Sequence, residues 1–172
     1  MTSLIIFFLV FALLIWAIVI YNKLVNDKNT SLAAWSDIDV QLKRRHDLIP
    51  KLIEAVKQYA SYESSLLQSV TELRNQAKSI ESISERENIE RELQTQVHKL
   101  IAVAEDYPEL KASQNFLALQ EDISEVENDI QYSRRYYNGA VRNINTRIDT
   151  FPDLLVARFF NYKYHAYFQL DD

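Results

Sequence analysis

The sequence predicts an all-α protein: an N-terminal transmembrane helix followed by a bundle of long antiparallel helices, three long ones and a short C-terminal one. Three observations predict it. The 172 residues hold one glycine and three prolines. That is far below the roughly 7% and 5% of average usage, so almost no material exists for tight turns or glycine-rich loops. Residues 4–21, LIIFFLVFALLIWAIVIY, carry no charge. Beyond them, apolar residues recur at three- and four-residue spacing nearly everywhere.

The uncharged run comes first. As a helix it spans about 27 Å, close to the roughly 30 Å hydrocarbon core of a bilayer. A buried core helix would show a polar stripe, and a cleaved signal peptide would show a basic head and a small-residue cleavage site; neither pattern is visible. Residues 1–21 therefore read as a retained anchor in contact with membrane lipid. Leu4 opens its apolar run, and Trp16 and Tyr21 suit the inner interfacial belt. No Lys or Arg precedes the span, whereas Lys23 and Lys28 follow it at once. The expectation is a single-pass protein of the cell (inner) membrane, N-terminus outside, with residues 22–172 forming a cytoplasmic helical-bundle domain.

Past the anchor, Tyr21, Leu24, Trp35, Ile38, Leu42, Ile49 and Leu52 share one stripe, interrupted by Lys28, Ser31 and Arg45. It continues through Val56, Tyr59, Glu63, Leu66, Val70, Leu73 and Ala77, so the anchor helix is predicted to run on as a stalk. Pro50 lies inside this pattern and is expected to kink the helix, because no turn residue flanks it. The segment KSIESISERE, residues 78–87, reads as a turn followed by a capping box with Ser84 as N-cap and Glu87 as its partner. A second helix over about 85–106 turns Ile89, Leu93, Val97, Leu100, Ile101 and Ala104 inward, and Pro108 suits a first helical turn. The third helix carries the longest stripe, from Phe116 through Ile130, Tyr137, Ile144 and Ile148 to Phe151, on the order of 57 Å. Pro152 ends it, and the remainder predicts a short amphipathic helix with an aromatic tail.

Little in the chain points to catalysis. Without cysteine there is no thiol nucleophile and no thiolate metal site. Gly139 stands alone, so a glycine-rich nucleotide loop is excluded. A Glu-x-x-His pair would need an acid at Lys43, Thr95 or Tyr162, and none is there, so neither a metal nor another cofactor is expected. His46 and Asp47, being adjacent on a helix, point apart, and His46 reads as a surface residue near a kink. Glu85, Glu87, Glu90 and Glu92, interleaved with Arg86 and Arg91, read as a solvated face. A net charge of −5 argues against nucleic acid as a partner.

Two polar clusters interrupt the stripes. One is KRRHD, with Arg44 and Arg45; the other, residues 134–147, contains Arg134, Arg135, Tyr136, Tyr137 and Asn138. With Trp35, Ile144, Ile148 and Phe151 they are the candidate packing or interface residues, because Arg stacks on Tyr and donates to amide and carbonyl oxygens. Helix lengths sharpen this. If the second helix folds back over about 33 Å, the third overshoots the turn by roughly 25 Å. The overhang would begin near Arg134 and bare Ala140, Val141, Ile144 and Ile148. Burying it against a neighbouring copy predicts a homo-oligomer. A break at Pro50 or at Asn138 and Gly139 would instead close the bundle on itself.

The segments YNKLV, AWSDIDVQLKRRHDLIPKLIEAVKQYASYE, AEDYPELKASQNFLALQEDISEVENDI and RRYYNGAVRNINTRIDTFP, with the closing Ala, Phe-Phe and Tyr-Phe pattern, resemble the LemA family of bacterial membrane proteins, in the family's order. The resemblance runs from Tyr21 to Phe168. Lys51 and Gln58 depart from it, standing where Asn and Gly are expected, as does Gly139, where a non-glycine residue is common. It implies a single N-terminal span followed by long helices, and it brings no catalytic residues. Two functions fit. The first is a non-enzymatic membrane-anchored scaffold or assembly protein that self-associates. The second is an adaptor, regulator or sensor acting on another membrane protein, such as a protease or an envelope-stress component. A hydrolase is a distant third.

Overall fold

A chain this poor in glycine reverses direction only at a few corners, and long helices fill the intervals. The computed structural model describes residues 1–60, 62–80 and 82–169. Among them are six helices and no strand: α1 (Thr2–Lys57), α2 (Ser64–Ser79), α3 (Ile83–Glu105), α4 (Pro108–Lys111), α5 (Gln114–Asp149) and α6 (Asp153–Phe159). Pro108 opens α4, as a ring that lacks an N–H should.

Two expected boundaries are corrected. The first helix does not run to Ala77. It passes through Pro50 without a break and stops at Lys57. The chain turns over Ala60, which is fully buried and donates its N–H to the Val56 carbonyl at 2.8 Å. The turn lets Leu67, Val70, Leu73 and Ala77 of α2 fold back onto Ile49, Leu52 and Val56 of α1. Apolar burial of each such side chain is worth about 1.5–3 kcal/mol, enough to select a corner that no glycine or proline marks. The capping box is also absent. α3 starts two residues before Glu85, with Ser82 as its N-cap and no side-chain cap bond. Arg86 fixes that corner instead, donating to the Ile80 carbonyl at 3.1 Å and to Asp39 at 2.6 Å.

The chain divides into two compact units. One joins Met1–Ser36 to Tyr136–Tyr167, and the other contains Asp37–Arg135 with the described residues from Phe168 on. The second unit is built on the α1, α2, α3 and α5 stripes, with Leu93, Val97, Leu100, Phe116 and Ile123 at its centre. In the first unit, Ile20 and Leu24 of α1 pack against Ile144 and Ile148 of α5 and Val156 and Ala157 of α6. The expected apolar overhang therefore does not exist. Ile144 is fully buried and Ile148 is 7% exposed, because α1 itself lies along the end of α5.

The start of α1 is different. It is the one described helix long and apolar enough to cross a membrane, with a mean hydropathy of 3.1 over its best window. Leu4, Phe7 and Val19 are 62%, 64% and 46% exposed, so the rest of the chain leaves this stretch bare.

Candidate functional site

Arg45 falls on the buried stripe of α1 between Leu42 and Ile49, and Glu90 falls on that of α3, three residues before Leu93. Two charges at inward positions of facing helices must find each other or unfold the contact. They do find each other. Arg45 Nη2 donates to Glu90 Oε2 and also reaches the Glu90 carbonyl at 3.3 Å. His46 Nε2 lies 2.8 Å from the other carboxyl oxygen, Oε1. Arg74 of α2 donates from Nε to the His46 carbonyl at 2.7 Å, so three helices meet at this point. Side-chain exposure is 2% for Arg45, 7% for His46 and 0% for Glu90.

Burial alone would raise the Glu90 carboxyl. The hydrogen bond from His46 and the charges of Arg45 and His46 outweigh that, and hold it below its ordinary value. An ionised carboxylate with both oxygens engaged and no solvent access is suited to locking helices and poorly suited to proton transfer. Glu90 and His46 are ligand-type groups, yet the third group on them is a cation. No set of three His, Cys, Asp or Glu side chains gathers to hold a metal among the described residues. Beside His46 a cleft of about 240 Å³ is flanked by Lys43, Lys78 and Arg86, with Asp39 already taking the Arg86 guanidinium.

A second polar network, within the first unit, ties the tail to α1 and α5. Arg147 bridges Asp27 at 2.6 Å and Asp153 at 2.7 Å, joining α5, α1 and α6. The hydrogen bond to Asp27 is the largest reason its guanidinium is held above its ordinary pKa. Asn145 accepts the His165 N–H at 2.9 Å and donates to the His165 carbonyl at 3.0 Å, as a strand partner would. The His165 ring lies 3.0 Å from the Ser31 hydroxyl, and burial, then the charge of Lys28, pushes its pKa down. Tyr137 donates to the Ala166 carbonyl at 2.8 Å while its ring sits 5.4 Å from that of Trp35.

The predicted site residues thus scatter. Trp35, Tyr137, Ile144 and Ile148 pack internally, and Arg45 is a buried ion-pair partner. Arg44 is half exposed and pairs with Asp129 at 2.9 Å. Arg134 donates to Gln131, and Arg135 stacks 4.9 Å over the Tyr132 ring. Asn138 is partly buried, while Tyr136 and Phe151 are exposed. Leu4, Trp16 and Tyr21 are exposed along the anchor stretch. Two expectations fail. His46 is not a surface residue, and Glu90 does not belong to a solvated face, because each lies where helices pack and Arg45 supplies the charge that makes burial tolerable. The missed signal was an acid on the α3 stripe facing a base on the α1 stripe. Asn145 and Arg147 fall inside the polar cluster of residues 134–147 that the sequence marks, but their partners His165 and Asp27, 20 and 120 residues away, carry no local sign.

A profile of the LemA family matches residues 34–172. The chain belongs to the LemA family. Protein LemA of Metamycoplasma hominis is 29% identical over 141 residues, which cover 80% of this chain and 63% of that relative. The chain thus spans less than two thirds of the length of the curated relative it matches. The LemA match contains Arg45, His46 and Glu90 as well as Asn145, Arg147 and His165, and it begins after the apolar run.

Proposed function

We propose that this LemA-family chain is a non-enzymatic, membrane-anchored helical scaffold or assembly protein that self-associates. The observation that supports it most is the use made of the polar residues. Glu90 spends both carboxyl oxygens on Arg45 and His46, and Arg147 spends its guanidinium on Asp27 and Asp153. These groups hold helices to one another and leave no exposed acid, base or nucleophile at their centre. The bare apolar stretch of α1 supports an anchor in lipid, and the Lys23 and Lys28 that follow it support a cytoplasmic domain. Ile144 and Ile148 are occupied inside the chain, so self-association proceeds through other surfaces, of which the span and the exposed Tyr132 and Tyr136 are available.

Affinity purification from crosslinked membranes tests the proposal. A large complex made of this chain alone is the expected result. A stoichiometric second membrane protein would replace the scaffold with the adaptor or regulator.

A further inference from the structure

The geometry points to a second membrane contact: the hairpin tip formed by the end of α6 and the start of the tail dips into the lipid interface beside the span. The inference rests on the reading of α1 as a membrane anchor.

Three observations set the depth of this tip. Asp153, at the start of α6, shares Arg147 with Asp27 of α1. Val156 and Ala157 pack on Ile20 and Leu24. Phe160, just past the end of α6, meets the Tyr21 ring with centroids 4.6 Å apart. α6 therefore runs antiparallel to α1, and climbs from the level of Asp27 to that of Tyr21, about 9 Å along the axis. Tyr21 is the last residue of the uncharged run. There the chain reverses: Asn161 takes a left-handed φ of 55°, and the Tyr162 N–H returns to the Ala157 carbonyl at 2.9 Å. The tail then descends to His165, beside Ser31.

The composition of the tip fits lipid. Phe159 is 83% exposed and Phe160 50%, and both stand at the height where the bilayer boundary is expected. Aromatic rings concentrate at that boundary, and basic side chains beside them extend to the headgroups. Lys23, Lys28, Arg158 and Lys163 are exposed cations near the tip. The acids are set back and engaged: Asp27 and Asp153 share Arg147, and Asp149 accepts from Tyr164. Apolar rings flanked by cations, with acids withdrawn, match an interface containing anionic lipid. In water the same rings would be an unrelieved apolar patch.

The chain has no cysteine, so a single introduced cysteine carries a unique label. Bimane is attached in turn at Phe159→Cys, Val10→Cys within the span, and Ser36→Cys, and each full chain is reconstituted into phosphatidylcholine and phosphatidylglycerol vesicles with brominated acyl chains. Labels at 10 and 159 should lose most of their emission to the lipid bromines, and the label at 36 should lose it to aqueous iodide instead. Lys163→Cys, which keeps both phenylalanines, should behave like 159. Quenching at 10 with iodide-accessible labels at 159 and 163 would overturn the tip contact and leave the anchor standing. Absence of lipid quenching at 10 would overturn the anchor and the tip together. Labels at 159 and 163 shielded from both quenchers would assign the face to a second copy of the chain, and would equally overturn the proposal.

Discussion

Replacing Glu90 with Gln removes one charge from a fully buried carboxylate and changes almost nothing in volume. Arg45, 2% exposed, would then carry a positive charge with no anion beside it. Gln can still bond to His46 and to Arg45, so the loss comes mainly from the missing charge. Breaking one side of a buried ion pair costs about 3–5 kcal/mol. For a chain of this size each kcal/mol shifts the midpoint by about 2–4 °C, so Glu90→Gln should lower Tm by about 6–20 °C. The assay is thermal loss of helical circular dichroism for the full chain in detergent micelles. Adding Arg45→Met to Glu90→Gln should recover most of the loss, since the unpaired buried guanidinium is then gone as well. The pH dependence has a definite sign. A carboxyl whose native pKa lies below its ordinary value of 4.5 contributes stability above that value, and the contribution disappears as pH falls through the native value. The gap between wild type and Glu90→Gln should therefore narrow only in acid below about 4.5. A Tm within the range of a neutral surface substitution, about ±0.5 kcal/mol, would refute the lock.

Other expectations follow from the same contacts. Ile144→Asp with Ile148→Asp should unfold the chain and not merely shrink its particles, because both side chains are buried within it; helical particles of reduced size would show that they face a neighbour after all. Arg147→Ala should cost about 1–2 kcal/mol, with a salt-dependent part because all three partners are partly exposed, and should loosen α6, read as faster proteolysis near Phe159. Asn145→Ala should cost about 1–3 kcal/mol and speed hydrogen exchange at the His165 amide, which loses its acceptor. Because burial and Lys28 lower the His165 pKa, its neutral form holds the tail above the ordinary value of 6.5, and that contribution should fade as pH drops through the lowered native value; tail protection that rises on acidification would contradict it.

The parts of this fold that sequence discloses are those where a local pattern and the tertiary contact demand the same thing. α5 is such a case. Its stripe from Phe116 to Ile148 is buried at nearly every predicted position, and Pro152 lies just beyond its end. In α3, Leu93, Val97, Leu100 and Ala104 are likewise buried. The corner after Lys57 escaped because lysine, glutamine and tyrosine are compatible with helix, and only the return of α2 onto α1 favours breaking it there. The expected overhang depends on the same corner: a first helix ending at Ala77 leaves the end of α5 uncovered, whereas in the structure that end lies along α1, with Ile144 and Ile148 against Ile20 and Leu24. Glu90 was hidden by its neighbours: three other acids surround it, and only its alignment with Leu93 and Val97 separates it from them. The KRRHD cluster was visible as a cluster, but its meaning depended on a partner 45 residues away.

The central claim, that this LemA-family chain works as an assembled membrane scaffold, is tested most directly by native mass spectrometry of the protein taken from its own membrane in polymer-bounded lipid particles. The account predicts a mass equal to two or more copies of the chain, with bound lipid and no second polypeptide. A mass of one copy, or of one copy joined to a different protein in fixed ratio, would contradict it.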